Sequence, residues 1–287
     1  MTKPSSATSR SWLFTPATRP DRFPKAIAAG ADVAIIDLED SVSPEEKESA
    51  RKEALRYLRS SRVAGPRIAL RINGLGTWAG IADLNALLSV SAWPDLLVLP
   101  KTETAGHLQI LDRLLTAARA EARLVGIVES AAGLASVEVI SSATPRLEAL
   151  MLGAADMAAD LNAMTAWESL AFARSQLVAA CAVNDVAAID APFFDIHDAD
   201  GFRGEVGRSV ALGFRAKAAI HPNQVAGINA ALTPGDAAVA KARAILEVNA
   251  KGVGIVDGQM IDEAVARQAR RVLAAAGLTS SQTSTPV

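Results

Sequence analysis

Short apolar runs that each stop at a polar or charged residue recur along this chain, separated by stretches with helical spacing. Trp12-Leu13-Phe14 is closed by Thr15-Pro16, Val33-Ala34-Ile35-Ile36 stops at Asp37-Leu38-Glu39-Asp40, and Ile68-Ala69-Leu70-Arg71-Ile72 ends at Asn73. Leu96 to Leu99 leads into Pro100-Lys101-Thr102-Glu103, and Leu124 to Val128 into Glu129. Leu150-Met151-Leu152 runs through Gly153-Ala154-Ala155 to Asp156, Ala187 to Ile189 stops at Asp190, and Ala216 to Ile220 at His221-Pro222. Uninterrupted short runs of this kind fit parallel strands with both faces covered by helices.

The intervening segments supply those helices. Pro20-Asp21 opens one that ends at Gly30, and Ser43-Pro44-Glu45-Glu46 starts an amphipathic one reaching Arg59. Others are expected around 83–88, 105–121, 137–140, 167–183 and 201–212. Strand ends near Thr15, Asp37, Arg71, Lys101, Glu129, Asp156, Asp190 and His221 therefore alternate with helices every roughly 22 to 34 residues. Eight βα units predict an α/β fold, a TIM-type (β/α)8 barrel over residues 10–225. An open doubly wound sheet is the rival; it would gather its ligand residues at one switch point, whereas here polar ends occur in all eight units. Two more helices, 236–249 and 261–275, flank a connection with Gly252, Gly254 and Gly258, so residues 226–278 read as a C-terminal helical extension. Residues 1–9 and 279–287 read as flexible termini.

Composition narrows the function. The chain has 287 residues, half of them hydrophobic and 4% aromatic, which suits aliphatic strands packed on Ala-rich helices. A formal net charge of -2 argues against nucleic acid or an anionic membrane as the main partner. No apolar run is long enough to span a bilayer, and a soluble, cytoplasmic protein is expected. The lone Cys181 lies in an apolar helical stretch and reads as a core residue.

Carboxylates at strand ends lie at the rim of a sheet. Glu129 and Asp156 read either as acids capping the following helices or as two ligands of one hard divalent cation, since Mg²⁺ is typically held by one or two protein carboxylates plus substrate and water oxygens. Arg71 reads as an anchor for a carboxylate or enolate oxygen, as a salt bridge to the Asp37-Glu39-Asp40 cluster, or as both. The backbone amides of Gly153, Ala154, Ala155 and Asp156 fall where a strand becomes a helix and could receive an anion. Lys101 and Glu103 read as a pair at the rim or as substrate contacts. Lys101 and Lys217 are the lysines a Schiff-base route would have to use, although Lys217 begins its strand. His221 reads as a hydrogen-bonded structural residue or an acid/base. No phosphate loop of the GxxxxGK[ST] type and no GxSxG elbow occurs.

Taken together and in order, Ser11-Trp12-Leu13-Phe14-Thr15-Pro16-Ala17-Thr18-Arg19-Pro20, Asp37-Leu38-Glu39-Asp40-Ser41-Val42, Leu70-Arg71-Ile72-Asn73, Leu99-Pro100-Lys101, Val128-Glu129-Ser130-Ala131, Gly153-Ala154-Ala155-Asp156-Met157, Ile220-His221-Pro222-Asn223-Gln224 and Asp257-Gly258-Gln259-Met260-Ile261-Asp262 resemble the citrate lyase β-subunit family. That family sits with malyl-CoA and citramalyl-CoA lyases among the HpcH/HpaI aldolases. The resemblance implies Mg²⁺-dependent retro-aldol cleavage of a carboxylated 3-hydroxyacyl thioester into acetyl-CoA and a 2-keto acid. It implies Glu129 and Asp156 as metal ligands and Arg71 on the keto-acid or enolate oxygen. Asp37 and Glu39 become acids near the metal, the amides from Gly153 to Asp156 a cradle for the keto-acid carboxylate, and Arg19 and Lys25 contacts for CoA phosphates. Asp262 becomes an acid/base reaching a neighbouring subunit of a homotrimer, with residues 252–273 as a lid. Alternatives are a subunit acting on a carrier-bound acyl group, a malyl-CoA thioesterase, and a non-catalytic CoA-ester-binding barrel. Two departures from the family pattern stand out: Asn162 where Gly is common, and Ala17-Thr18 in place of a Gly-containing turn.

Overall fold

The computed structural model describes residues 9–60, 65–90 and 92–278; the expectation of flexible termini otherwise falls on residues outside that range. Contacts divide the chain into a barrel unit, Ser9–Ile228, and a C-terminal unit whose described part begins at Asn229.

In the barrel unit, β1 (Ser11–Pro16), α1 (Phe23–Ala28), β2 (Val33–Asp37), α2 (Lys47–Arg59), β3 (Arg67–Arg71), α3 (Trp78–Leu88), β4 (Leu96–Leu99) and α4 (Ala105–Ala117) alternate as expected. They are followed by β5 (Arg123–Val128), the short helices α5 (Ala131–Ala135) and α6 (Val137–Ser141), β6 (Leu147–Leu152), α7 (Ala154–Asp160), α8 (Ala171–Val183), β7 (Ala187–Asp190), α9 (Ala199–Leu212), β8 (Ala216–Ala219) and α10 (Pro222–Leu232). All eight strands are parallel and pair in sequence order, with β8 returning to β1 to close the barrel. This is the (β/α)8 barrel the sequence predicts; the open-sheet rival is excluded by that closure.

Side chains alternate between the barrel axis and the helix layer, as strand geometry requires. Trp12, Val33, Ile35, Ala69, Leu96, Val98, Val125, Ile127, Ala149, Met151, Ile189, Ala216 and Ala218 form the cluster that fills the axis. Each fully buried Val, Leu, Ile or Met side chain of this set contributes about 1.5–3 kcal/mol. At the amino-terminal end of the strands, a register shift between β5 and β6 frees Glu148. Its carboxylate meets Arg67 Nη1 at 2.5 Å and Nη2 at 2.9 Å. β3 and β6 are separated by two strands, so this pair crosses the interior and forms a polar floor, with Arg123 Nε 3.7 Å away.

The C-terminal unit holds α11 (Asp236–Ala250), β9 (Gly254–Val256), β10 (Gln259–Ile261) and α12 (Glu263–Ala275). Its own core joins Ala242, Ile245, Ile261, Ala269 and Leu273. The Gly-rich connection expected between two helices is an antiparallel hairpin, β9 against β10, turning at Asp257 and Gly258 with positive φ.

Candidate active site

Strand parity assembles the site. Asp37, Arg71, Glu129 and Gly153 each lie two residues beyond an axis-filling residue, namely Ile35, Ala69, Ile127 and Met151. They therefore project from the carboxyl ends of β2, β3, β5 and β6 into one barrel mouth. Arg71 bonds Asp37 bidentately, Nε to Oδ1 and Nη2 to Oδ2, both at 2.7 Å, and its Cζ lies 4.9 Å from the Phe14 ring centre. The salt bridge expected between Arg71 and the acidic cluster is thus present. Burial works to raise the Asp37 carboxyl, but the Arg71 hydrogen bonds and charge outweigh it and hold it below the usual carboxylate range.

Glu39 is placed by backbone supports. Lys47 Nζ donates to the carbonyls of Leu38 and Glu39 at 2.9 and 2.7 Å, and Asn73 Nδ2 donates to Leu38 O at 3.0 Å. Asn73 is itself held by the buried Asp83, which pairs with Arg51. Glu39 Oε2 lies 2.8 Å from Arg71 Nη1, yet the angle is not that of a hydrogen bond and this buried oxygen has no hydrogen-bond partner. Burial pushes the Glu39 carboxyl up, against the pull of Arg71 and Lys101.

Glu129 is only 5% exposed, and burial lifts its carboxyl to about 7 despite the Lys101 amide and charge. Its Oε1 accepts the Lys101 N–H at 2.6 Å. The carboxylate lies against Gly153, where an added Cβ would come within 2.4 Å of Glu129 Oε2. Lys101 Nζ reaches Glu39 Oε1 at 2.5 Å and Asp156 Oδ2 at 3.2 Å. Asp156 does not end a strand as expected: β6 stops at Leu152 and Asp156 sits in the first turn of α7.

Other expected residues fall as follows. The Gly153 amide donates to Val128 O at 3.1 Å, so of the predicted cradle only the Ala154, Ala155 and Asp156 amides remain in the unbonded first turn of α7. Lys101 does not pair with Glu103, whose Oε1 instead accepts from Ser130 Oγ at 2.9 Å next to Glu129. Lys217 points away from the mouth into a buried group with Asp190, which removes it as a Schiff-base candidate. His221 Nδ1 accepts the Asn223 amide at 3.2 Å, a contact within its own turn. Arg19 is exposed and paired with Asp21, and Lys25 is exposed on α1. Asp262, in the C-terminal unit, caps α12 by accepting the Val265 amide at 2.9 Å. Asn162 takes the left-handed φ of 51° that Gly would supply, so this departure preserves the turn. Burial pushes the Cys181 thiol up to about 12, in keeping with a core residue. The sequence singles out Lys101 at a strand end but not its partners Glu39, Glu129 and Asp156, because bonds reaching across separate connections leave no periodic signal.

The donor set fits a hard divalent cation. It offers a buried carboxylate oxygen with no hydrogen-bond partner on Glu39, the carboxylates of Glu129 and Asp156, and a lysine ammonium drawn between two of these acids. Among the described residues no group of three or more His, Cys, Asp or Glu side chains is gathered so as to hold a metal ion by itself. That suits an ion which keeps most of its coordination for water and substrate oxygens.

Comparison with known proteins agrees with the geometry. RipC from Yersinia pestis is 55% identical, covering 80% of this chain and 98% of that one with a TM-score of 0.72. The L-malyl-CoA/beta-methylmalyl-CoA lyase of Rhodobacter capsulatus is 38% identical over 296 residues, 92% of this chain and 93% of the relative. CitE from Mycobacterium tuberculosis, solved in complex with magnesium, acetoacetate and coenzyme A, is 33% identical and covers 94% of this chain and 99% of its own, with a TM-score of 0.79. Barrel, mouth and relatives together define a carbon–carbon lyase. More narrowly, the chain belongs to the HpcH/HpaI aldolase/citrate lyase family, whose model matches residues 10–222.

Proposed function

We propose that this protein cleaves a carboxylated 3-hydroxyacyl-CoA thioester, of the malyl-CoA, citramalyl-CoA or citryl-CoA type, into acetyl-CoA and a 2-keto acid. The observation that carries this reading is the convergence of Arg71, Glu39, Glu129 and Asp156 on one barrel mouth. Relatives named for malyl-CoA cleavage, and a magnesium and coenzyme A complex of CitE, support the substrate class and the metal.

In cleavage the 3-hydroxyl loses its proton, the C2–C3 bond breaks, and its electron pair passes to the thioester as an enolate. A proton then returns to C2 to give acetyl-CoA. Glu129 and Asp156 would hold Mg²⁺, which would supply Lewis-acid polarisation of the reacting oxygens. Arg71, locked by Asp37 through Nε and Nη2, has Nη1 to offer the keto-acid oxygen, and its bidentate lock fixes the direction of that donor. Glu39 adds negative potential beside this site and accepts from Lys101. The amides of Ala154, Ala155 and Asp156 receive the keto-acid carboxylate at the start of α7. Lys25 and Arg19 are the basic candidates for CoA phosphates, with Arg19 already engaged by Asp21. Asp262 acts as the acid/base, supplied by a neighbouring copy in a homotrimer.

The test is incubation with Mg²⁺ and each of malyl-CoA, citramalyl-CoA and citryl-CoA, followed for acetyl-CoA and keto acid. Native protein is expected to release acetyl-CoA from at least one, and Glu129→Gln and Asp156→Asn to lose most of that turnover, on the order of 100-fold or more. Release of free CoA with the hydroxy acid intact would make it a thioesterase. Turnover only of a carrier-bound acyl group would make it a subunit of a larger lyase.

A further inference from the structure

Lys101 is unusual in both halves. Its backbone takes a left-handed φ of 50°, a conformation that residues with a Cβ avoid unless the surroundings impose it. That conformation delivers its N–H to Glu129 Oε1 at 2.6 Å, while the side chain sends Nζ to Glu39 Oε1 at 2.5 Å, Asp156 Oδ2 at 3.2 Å and Asp40 Oδ1 at 4.0 Å. One residue therefore ties acids that follow β2, follow β5 and open α7. The side chain is also about half exposed, at 48%, so it can withdraw toward solvent without a cavity being left behind.

We infer that Lys101 is an internal counter-ion that holds the acids of the mouth together in the metal-free protein and yields Asp156 to the divalent cation when it binds. The inference rests on the Mg²⁺ reading given above. Charge decides its direction. Arg71 pairs with Asp37 and also lies 2.8 Å from Glu39, while Lys101 is the cation that Glu129 and Asp156 share. A cation approaching these acids must both displace that ammonium from Asp156 and tolerate its charge. Lys101→Met removes the charge but keeps the backbone N–H that orients Glu129.

Isothermal titration of Mg²⁺ into the native protein, Lys101→Met and Lys101→Arg, at one fixed salt concentration, tests this directly. Lys101→Met is expected to bind Mg²⁺ on the order of tenfold more tightly than the native protein, and Lys101→Arg, which keeps the charge, within about threefold of it. Thermal unfolding gives a second readout: without metal, Lys101→Met melts below the native protein because its acids repel, and its gain in Tm on adding Mg²⁺ is the larger. Equal or weaker Mg²⁺ binding by Lys101→Met, with an equal or smaller gain in Tm, overturns the inference while leaving the metal reading intact. A native protein that binds no Mg²⁺ removes that reading and the inference with it. Lys101→Gln, closer in shape, replaces Lys101→Met if the latter fails to fold.

Discussion

Of the two buried carboxyls that burial pushes up, Glu129 gives the larger pH response. With its pKa at about 7 against an ordinary 4.5, Glu129 keeps a proton in the folded protein at pH values where the unfolded chain has released it. Stability of the metal-free protein contributed by this group is therefore highest below about pH 4.5 and declines as pH rises to about 7, by at most about 3 kcal/mol. Glu129→Gln cannot ionise, so in the presence of a chelator the native Tm is expected to fall relative to that of the variant across this window; parallel curves would show that Glu129 titrates normally. Much of this residue-scale picture is legible in the sequence. Asp37, Arg71 and Glu129 end apolar runs, and the period of two that marks a strand also says which way they point. Gly153 is legible only as a candidate amide, whereas its service is to have no side chain where the Glu129 carboxylate lies. Lys101 is legible as a strand-end candidate but its role is not, because neither a left-handed φ nor a bond to an acid 62 or 55 residues away follows from local pattern.

Between elements, the β7–β8 seam is held by charge rather than oil. Lys217 Nζ donates to Asp190 Oδ2 at 2.7 Å, Ala191 O at 2.7 Å and Glu205 Oε1 at 2.8 Å, while Arg174 on α8 and Ser209 on α9 bond the same aspartate. Lys217 and Asp190 are almost wholly buried, and the aspartate is held below its usual range because Lys217 and Arg174 overcome the burial that would raise it. Lys217→Met is expected to destabilise the protein by about 3–5 kcal/mol, since it strands buried acceptors, and a urea titration should show a lower midpoint at unchanged slope. An apolar run with Lys217 in it reads correctly as a strand, but which partner helices answer the charge is a tertiary fact. Element ends were similarly blurred. The helix expected to reach 121 stops at Ala117, where Arg119 turns left-handed, and the three-residue strands β9 and β10 are too short to show an alternation.

For the molecule as a whole, the proposed sharing of one site between neighbouring copies has a direct test. If Asp262 of one copy serves Glu129 of another, co-refolding equal amounts of inactive Glu129→Gln and Asp262→Asn subunits should restore about a quarter of native activity, because random assembly brings an intact Glu129 beside an intact Asp262 in that share of sites. No recovery would place the two residues in one copy or remove Asp262 from the chemistry. Among the described residues no helix is long and apolar enough to cross a membrane. The Arg67–Glu148 floor reaches beyond stability as well. With one end of the barrel stoppered and its axis filled, everything that enters or leaves uses a single doorway. In the proposed reaction the small keto acid sits innermost, against Arg71, and the bulky acetyl-CoA stands between it and solvent. Departure is then a queue: acetyl-CoA goes first and the keto acid last. Product-inhibition kinetics should accordingly show the keto acid competing with substrate for the empty enzyme and acetyl-CoA inhibiting non-competitively, a sequence imposed by an ion pair that touches neither product.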